Sequence, residues 1–240
     1  MTRSVFVLLH GMFHGGWCWS RAAEILRARG HVVTTPTQTG LGERAHLLSP
    51  EITLSTFVED IVQHLRFDDL KDVTLVGHSF GGAVLAGVAD RASERLSRLV
   101  YLDGAILDSG ETWFSRLPAD VARDRAALAQ STSGGVSLPP APAAFFGIRE
   151  PEDTAFVEPR LTPHPYRTIT TAVTLENPLW CGVPTSYIRC TDPVFRNAAG
   201  SCEKARTLGV PVSELATGHD AMVTAPLALA EMLIRIAQDG

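Results

Sequence analysis

The chain has no clustered charge, no cysteine motif and no long apolar run, and each absence removes a class of function. Its 240 residues carry 21 Lys and Arg against 26 Asp and Glu, a formal net charge of −5. Phosphate binding needs Lys and Arg gathered on one face, so no nucleic-acid partner is expected. No stretch approaches the ~20 consecutive apolar residues that span a bilayer, so no membrane segment is expected. The apolar run Val5 to Leu9 is short for a secretory leader and is cut by His10-Gly11, so it reads as a buried strand and the expected location is cytoplasmic. Cys18, Cys181, Cys190 and Cys202 lack CxxC spacing and are read as reduced thiols. The histidines and cysteines lack ligand spacing, and neither G-x-G-x-x-G nor a P-loop occurs, so no metal and no cofactor is expected.

The composition, 45% hydrophobic and 20% charged, is that of a chain able to fill one large core. Short β-branched runs alternate with longer helical periods, which predicts an α/β fold with a mostly parallel sheet covered by helices. Strands are expected at Val5 to Leu9, His31 to Thr35, Val73 to Val76, Leu99 to Leu102, Thr185 to Arg189 and Val212 to Leu215. Helices are expected at Trp19 to Arg29, closed by Gly30, at Gly81 to Arg91 and at Pro226 to Ile236. Another follows Thr56, where Phe57, Val58, Ile61, Val62 and Leu65 repeat every three to four residues and Thr56 with Glu59 has capping-box spacing.

Between Asp108 and Val183 the alternation stops. This stretch holds Gly134-Gly135, Pro139-Pro140 and Pro142 beside Trp113, Phe114, Phe145, Phe146 and Trp180. It predicts an inserted cap, residues 108–183, on a core made of residues 1–107 and 184–240. Aromatics interleaved with Pro and Gly suit an apolar roof over a pocket. An exposed apolar edge of that cap is a candidate homodimer surface.

The segment Val76-Gly77-His78-Ser79-Phe80-Gly81-Gly82 carries the chemistry: a strand runs into G-x-S-x-G and then into a helix of small residues. Such a turn strains the serine backbone, needs Gly on either side, and lifts the hydroxyl to a helix N-terminus where an oxyanion is favoured. Ser79 is therefore the candidate nucleophile. A serine hydroxyl needs a base to take its proton. Of eight histidines, His219 alone lies just after the last strand and before the last helix, so it is the candidate base. The base needs a carboxylate to fix its tautomer, and two end strands: Asp192 after Tyr187 to Thr191, and Asp103 after Val100 to Leu102. Asp192 is favoured because it precedes His219 by room for one helix and one strand, with Asp103 as substitute. The turn His10-Gly11-Met12-Phe13 can aim a backbone N–H at the nucleophile, so Met12 and Phe80 are the expected oxyanion donors. Phe13, Trp113, Phe145, Phe146 and Trp180 are the candidate substrate-binding residues.

The stretch His10-Gly11-Met12-Phe13-His14-Gly15-Gly16-Trp17-Cys18-Trp19, with Gly77-His78-Ser79-Phe80-Gly81-Gly82, resembles the hydroxynitrile lyase and plant methylesterase branch of the α/β-hydrolases. Thr39-Gly40-Leu41-Gly42-Glu43-Arg44 looks more like the bacterial esterases of that branch, which include hydrolases of pyrethroid and carbamate esters. The resemblance implies the α/β-hydrolase fold and serine esterase activity on a small hydrophobic or aromatic carboxylic ester. Lyases of the branch place Thr after the first-strand His and Lys after the catalytic His, whereas this chain has Gly11 and Asp220. An aspartate there would repel departing cyanide, which favours ester hydrolysis. Carbamate or amide hydrolysis, a hydroxynitrile lyase-type reaction and a ligand receptor with vestigial turnover are the alternatives.

Overall fold

The computed structural model describes residues 3–238. Its elements run β1 (Val5–Leu9), α1 (Ser20–Ala28), β2 (Val32–Thr34), α2 (Leu54–Phe67), β3 (Val73–His78), α3 (Gly81–Ala92) and β4 (Leu96–Leu102). An insertion follows with α4 (Ala119–Ser133), β5 (Ser137–Leu138), α5 (Pro151–Val157), β6 (His164–Pro165) and α6 (Tyr166–Thr170). The chain closes with β7 (Thr185–Cys190), α7 (Ala199–Thr207), β8 (Val212–Leu215), α8 (Ala221–Thr224) and α9 (Pro226–Gln238).

Six strands form one sheet in the order β2-β1-β3-β4-β7-β8, every pairing parallel. A parallel sheet must be covered on both faces, and side-chain alternation divides its apolar residues between them. Val7, Leu9, Leu75, Leu99, Tyr101 and Tyr187 pack with Phe57, Ile61, Val84 and Val88 of α2 and α3. Phe6, Leu8, Val76, Val100, Leu102 and Ile188 pack with Trp19, Leu26, Leu229 and Leu233 on the opposite face. Each fully buried side chain of this size contributes about 1.5–3 kcal/mol. The order reverses between β1 and β3, so the carboxyl ends of the central strands open a crevice there, where doubly wound sheets place their ligands.

The second helix begins earlier than its sequence signal suggested. Its capping box joins Thr53 to Thr56, with the Thr53 N–H donating to Thr56 Oγ1 at 3.1 Å, and not Thr56 to Glu59. Starting at Leu54 buries that leucine completely, a gain the later start would forgo.

Between β4 and β7 the chain leaves the sheet and folds over its carboxyl edge. Backbone hydrogen bonds pin this segment to the core, including Thr162 N to Phe13 O at 2.9 Å. Threonine hydroxyls add two more, accepting from Gly42 N at 3.0 Å and from Leu54 N at 3.2 Å. Within it β5 and β6 form a separate antiparallel pair. All four cysteines are free.

Candidate active site

Ser79 stands one residue beyond β3 with φ at +52°, a left-handed conformation that non-glycine residues avoid. Neighbouring backbone holds it there: Ser79 N donates to Leu102 O at 3.0 Å, and Ser79 O accepts from Ala105 N at 2.8 Å and Gly82 N at 3.1 Å. The turn is so sharp that a Cβ on Gly77 would lie 2.7 Å from Gly81 O, which accounts for glycine there. Ser79 thus sits at the N-terminus of the buried helix α3, in the favourable end of its dipole.

His219 follows β8 and is almost fully buried. Its ring stacks on Phe195, centroids 3.8 Å apart, and lies 4.5 Å from the His78 ring. His219 Nε2 has no hydrogen-bond partner among the described residues. His219 Nδ1 lies 3.0 Å from an Oδ of Asp103, whose other oxygen accepts the Cys190 N–H at 3.0 Å. A proton on Nδ1 completes this arrangement and leaves the lone pair on Nε2.

The carboxylate beside His219 is therefore Asp103, and the expectation for Asp192 is corrected. Register explains it. His78 pairs with Leu102, so Ser79 and Asp103 are each the first residue beyond adjacent strands and emerge at one level. Asp103, like Ser79, is turned by a positive φ, +43°. Asp192 lies beyond the end of β7 in a tight turn closed by the Thr191–Val194 bridge. Its side chain is 70% exposed and nearest to Arg149, at 3.6 Å.

Met12 and Phe80 are both buried, and neither backbone N–H has an acceptor among the described residues. Buried amide groups are rarely left unpaired, so two orphans flanking Ser79 are notable. Gly11 approaches closely as well: a Cβ there would lie 2.8 Å from Ser79 Cβ. The threonine found here in the lyases would push against the serine.

A second buried charge network lies behind the site. His14 Nδ1 donates to Met12 O at 2.7 Å, and His14 Nε2 donates to Asp220 Oδ2 at 2.9 Å. Burial alone would lower the His14 pKa, but the charge and hydrogen bond of Asp220 and the Met12 carbonyl reverse this and raise it above its ordinary value. Burial would raise Asp220, and His14, with smaller help from His78 and His219, holds it below the usual carboxylate range. Both shifts favour the ion pair, with His14 positive and Asp220 negative. His78 Nε2 donates to His219 O at 3.0 Å, and burial with the neighbouring His219 holds His78 neutral. His10 and His164 are also fully buried, and desolvation brings each down to about 3. Asp220 was expected to face a ligand; instead it is fully buried and paired with His14.

Ser79 opens into a cavity of about 470 Å³ including its mouth, whose walls include Met12, Phe13, Trp113, Phe145, Phe146 and Phe195. Four of the five aromatic residues expected to bind substrate, Phe13, Trp113, Phe145 and Phe146, line this cavity. Trp180 is not. Its indole N–H donates to the Tyr101 hydroxyl at 2.7 Å, and it packs with the core on the α3 face of the sheet. Sequence reasoning missed Arg125, Phe195, Asn197 and Ser201, which also line the cavity. Only Phe195, shortly after the strand-end Asp192, had a positional signal. Among the described residues no cluster could hold a metal ion, and no helix is long and apolar enough to cross a membrane.

A carbendazim hydrolyzing esterase from Nocardioides sp. (strain SG-4G) is 48% identical over 113 residues, 47% of this chain and 47% of that protein. Methylesterase 10 of Arabidopsis thaliana is 25% identical over 263 residues, covering 97% of this chain and 91% of that protein. The chain spans about half the length, or less, of the first curated relatives it matches. Among solved structures, an extracellular alpha/beta-hydrolase from a Paenibacillus species superposes with a TM-score of 0.86 at 23% identity, over 98% of this chain and 100% of that one. A model of the alpha/beta hydrolase family matches residues 6–232, and the chain belongs to that family.

Proposed function

We propose that this protein is a serine esterase that cleaves a small ester with a largely apolar body through an acyl-enzyme. The observation that carries the proposal is the strained Ser79, at the mouth of an aromatic-lined cavity, beside a buried His219 whose Nε2 is free and whose Nδ1 is held by Asp103.

The steps follow from these positions. The Ser79 hydroxyl proton passes to His219 Nε2 as Oγ bonds to the ester carbonyl carbon. The unpaired N–H groups of Met12 and Phe80 receive the oxyanion, each contributing on the order of 3 kcal/mol. The intermediate collapses, the bond to the leaving oxygen breaks, and His219 returns its proton to that oxygen. Water then attacks the acyl carbonyl and gives a proton to His219. The second intermediate expels Ser79, reprotonated by His219, and releases the acid. Asp103 keeps the required tautomer and neutralises the imidazolium throughout. No hydrogen bond joins Ser79 to His219 Nε2 among the described residues, and a bound ester would bring the two into line. Residues 108–183 act as the cap that supplies most of the cavity's aromatic wall.

A carbamic ester is the second substrate reading, favoured by the 48% identity to the carbendazim hydrolyzing esterase. The same steps serve it, since only the group on the carbonyl changes. Gly11 and the buried Asp220 weigh against cyanohydrin cleavage, because neither a threonine nor a cation stands where the lyases use one. The test is hydrolysis of a panel of p-nitrophenyl and aryl esters and carbamates by the native protein and by Ser79→Ala. Turnover that the variant loses by at least 10³-fold supports the reading. A native protein inert on the whole panel, or a variant as active as the native, overturns it.

A further inference from the structure

Arg125 of α4 lines the Ser79 cavity, yet it has no hydrogen bond or ion pair with any described residue. Its guanidinium lies over the Trp113 ring, 5.4 Å from the centroid. Stacking on a ring face leaves the guanidinium's edge donors free, in the fork geometry that fits a carboxylate with two parallel hydrogen bonds. Arg125 also lines a neighbouring open cleft, together with Phe13 and Phe145, so these three residues stand between the outer cleft and the serine. The acidic groups nearby do not neutralise it. Asp103 borders the same cavity, but both its oxygens are taken by His219 and Cys190. Asp124 borders only the outer cleft and is exposed. Of the two arginines that line the adjoining cleft, Arg116 is engaged with Ile106 O and Ser201 Oγ, and Arg196 is exposed and borders that cleft alone.

We infer that Arg125 makes this cavity selective for esters that carry a carboxylate away from the scissile bond, such as aryl half-esters of short dicarboxylic acids. The inference rests on the esterase reading and narrows its substrate class. A half-buried cation without a counter-charge is desolvated at a cost, and burial lowers the Arg125 pKa from its ordinary value. The ring of Trp113 compensates in part. A substrate carboxylate supplies the missing charge while the aromatic wall holds the apolar remainder.

The experiment has a binding arm and a turnover arm. In the first, calorimetry on Ser79→Ala compares the N-phenyl monoamides of succinic, glutaric and adipic acids with neutral N-phenyl alkanamides of matching length. In the second, the wild-type Ser79 protein hydrolyses the mono-p-nitrophenyl esters of the same acids beside neutral p-nitrophenyl alkanoates. Both arms are repeated with Arg125→Gln and Arg125→Lys. The expected result is at least tenfold tighter binding of one acid over its neutral match, lost in Arg125→Gln and partly kept in Arg125→Lys. In turnover the same loss falls on KM of the half-esters and exceeds any change in KM of the neutral esters by at least tenfold. Equal binding of acids and neutral ligands overturns the inference. So does an equal loss for both in Arg125→Gln, which would make the arginine only a prop for Trp113. Selective binding without any turnover would sink the esterase reading and leave the anion subsite standing.

Discussion

Replacing Asp103 by Asn distinguishes the two candidate carboxylates and tests the tautomer argument directly. In the native site one Asp103 oxygen accepts the Cys190 N–H and the other faces His219 Nδ1, both at 3.0 Å. An asparagine keeps the shape. Its single oxygen is retained by the Cys190 amide, which can only donate, so the NH₂ group turns toward His219. Nδ1 must then accept, the ring proton moves to Nε2, and the atom that should receive the Ser79 proton is already occupied. The imidazolium also loses its counter-charge in a nearly fully buried site. By analogy with the same substitution in a serine protease triad, kcat falls by about 10⁴, or ~5.5 kcal/mol of transition-state stabilisation. Asp192→Asn is the companion variant. Its side chain is 70% exposed beside Arg149, where an ion pair is worth about 0–1 kcal/mol, so activity stays within twofold. Steady-state hydrolysis of an aryl ester reads both, with thermal melts to show that each variant is folded. If Asp103→Asn keeps more than a tenth of native kcat while Asp192→Asn collapses, the assignment of Asp103 is refuted.

Gly11→Thr brings a side chain against Ser79 and His78 Nδ1, and displacing the nucleophile by even a fraction of an ångström should lower kcat/KM by about 10²; esterase and cyanide-release assays on this variant should show the first activity lost and the second not gained. Asp220→Asn leaves His14 buried without its counter-charge, and urea unfolding should show a loss of about 3 kcal/mol; an unchanged midpoint would deny the ion pair its role. Stability should fall in mild acid, because His10 and His164 have folded pKa values near 3 and bind protons near 6.5 once unfolded. Their contribution is complete above 6.5 and is lost as pH drops toward 3, by about 2 kcal/mol each between pH 7 and pH 5. The raised His14 works the other way, its contribution being full below 6.5 and lost as pH climbs through its folded value. Urea midpoints equal at pH 7 and pH 5 would contradict the net acid loss.

The parts of the molecule that were legible in the sequence are those set by local pattern. Val5 to Leu9 and Val73 to Val76 read as strands because an apolar run so short has no other stable use in a covered sheet, and G-x-S-x-G fixes its own turn through sterics. His219 was legible because it ends a strand and begins a helix. What failed depended on register across strands. Asp192 and Asp103 both end strands, and only the pairing of His78 with Leu102 puts Asp103 level with the serine. Trp180 shares the insertion's aromatic composition, but it lies just before β7 and packs on the α3 face of the sheet, where it finds Tyr101. Arg125 lies on a helix with weak amphipathic character, where nothing in the spacing tells a pocket-facing arginine from a solvated one.

Asp220 shows why a residue beside a catalytic candidate cannot be judged by its neighbour alone. Read along the chain, it is a charge set next to His219 and therefore next to a ligand. In the fold, consecutive residues point apart, and Asp220 turns inward to His14. His14 in turn holds the carbonyl of Met12, the residue whose amide stands unpaired at the serine. His78, within the serine turn, holds the carbonyl of His219. Three loops from distant parts of the sequence, ending β1, β3 and β8, are therefore fixed to one another by bonds that leave the Ser79 hydroxyl, the Met12 and Phe80 amides and His219 Nε2 free. Preorganised groups stabilise a transition state only if they do not have to move to meet it. In the proposed reaction the His14–Asp220 pair meets that requirement by holding the backbone still while the groups in front keep their donors and lone pair for the ester.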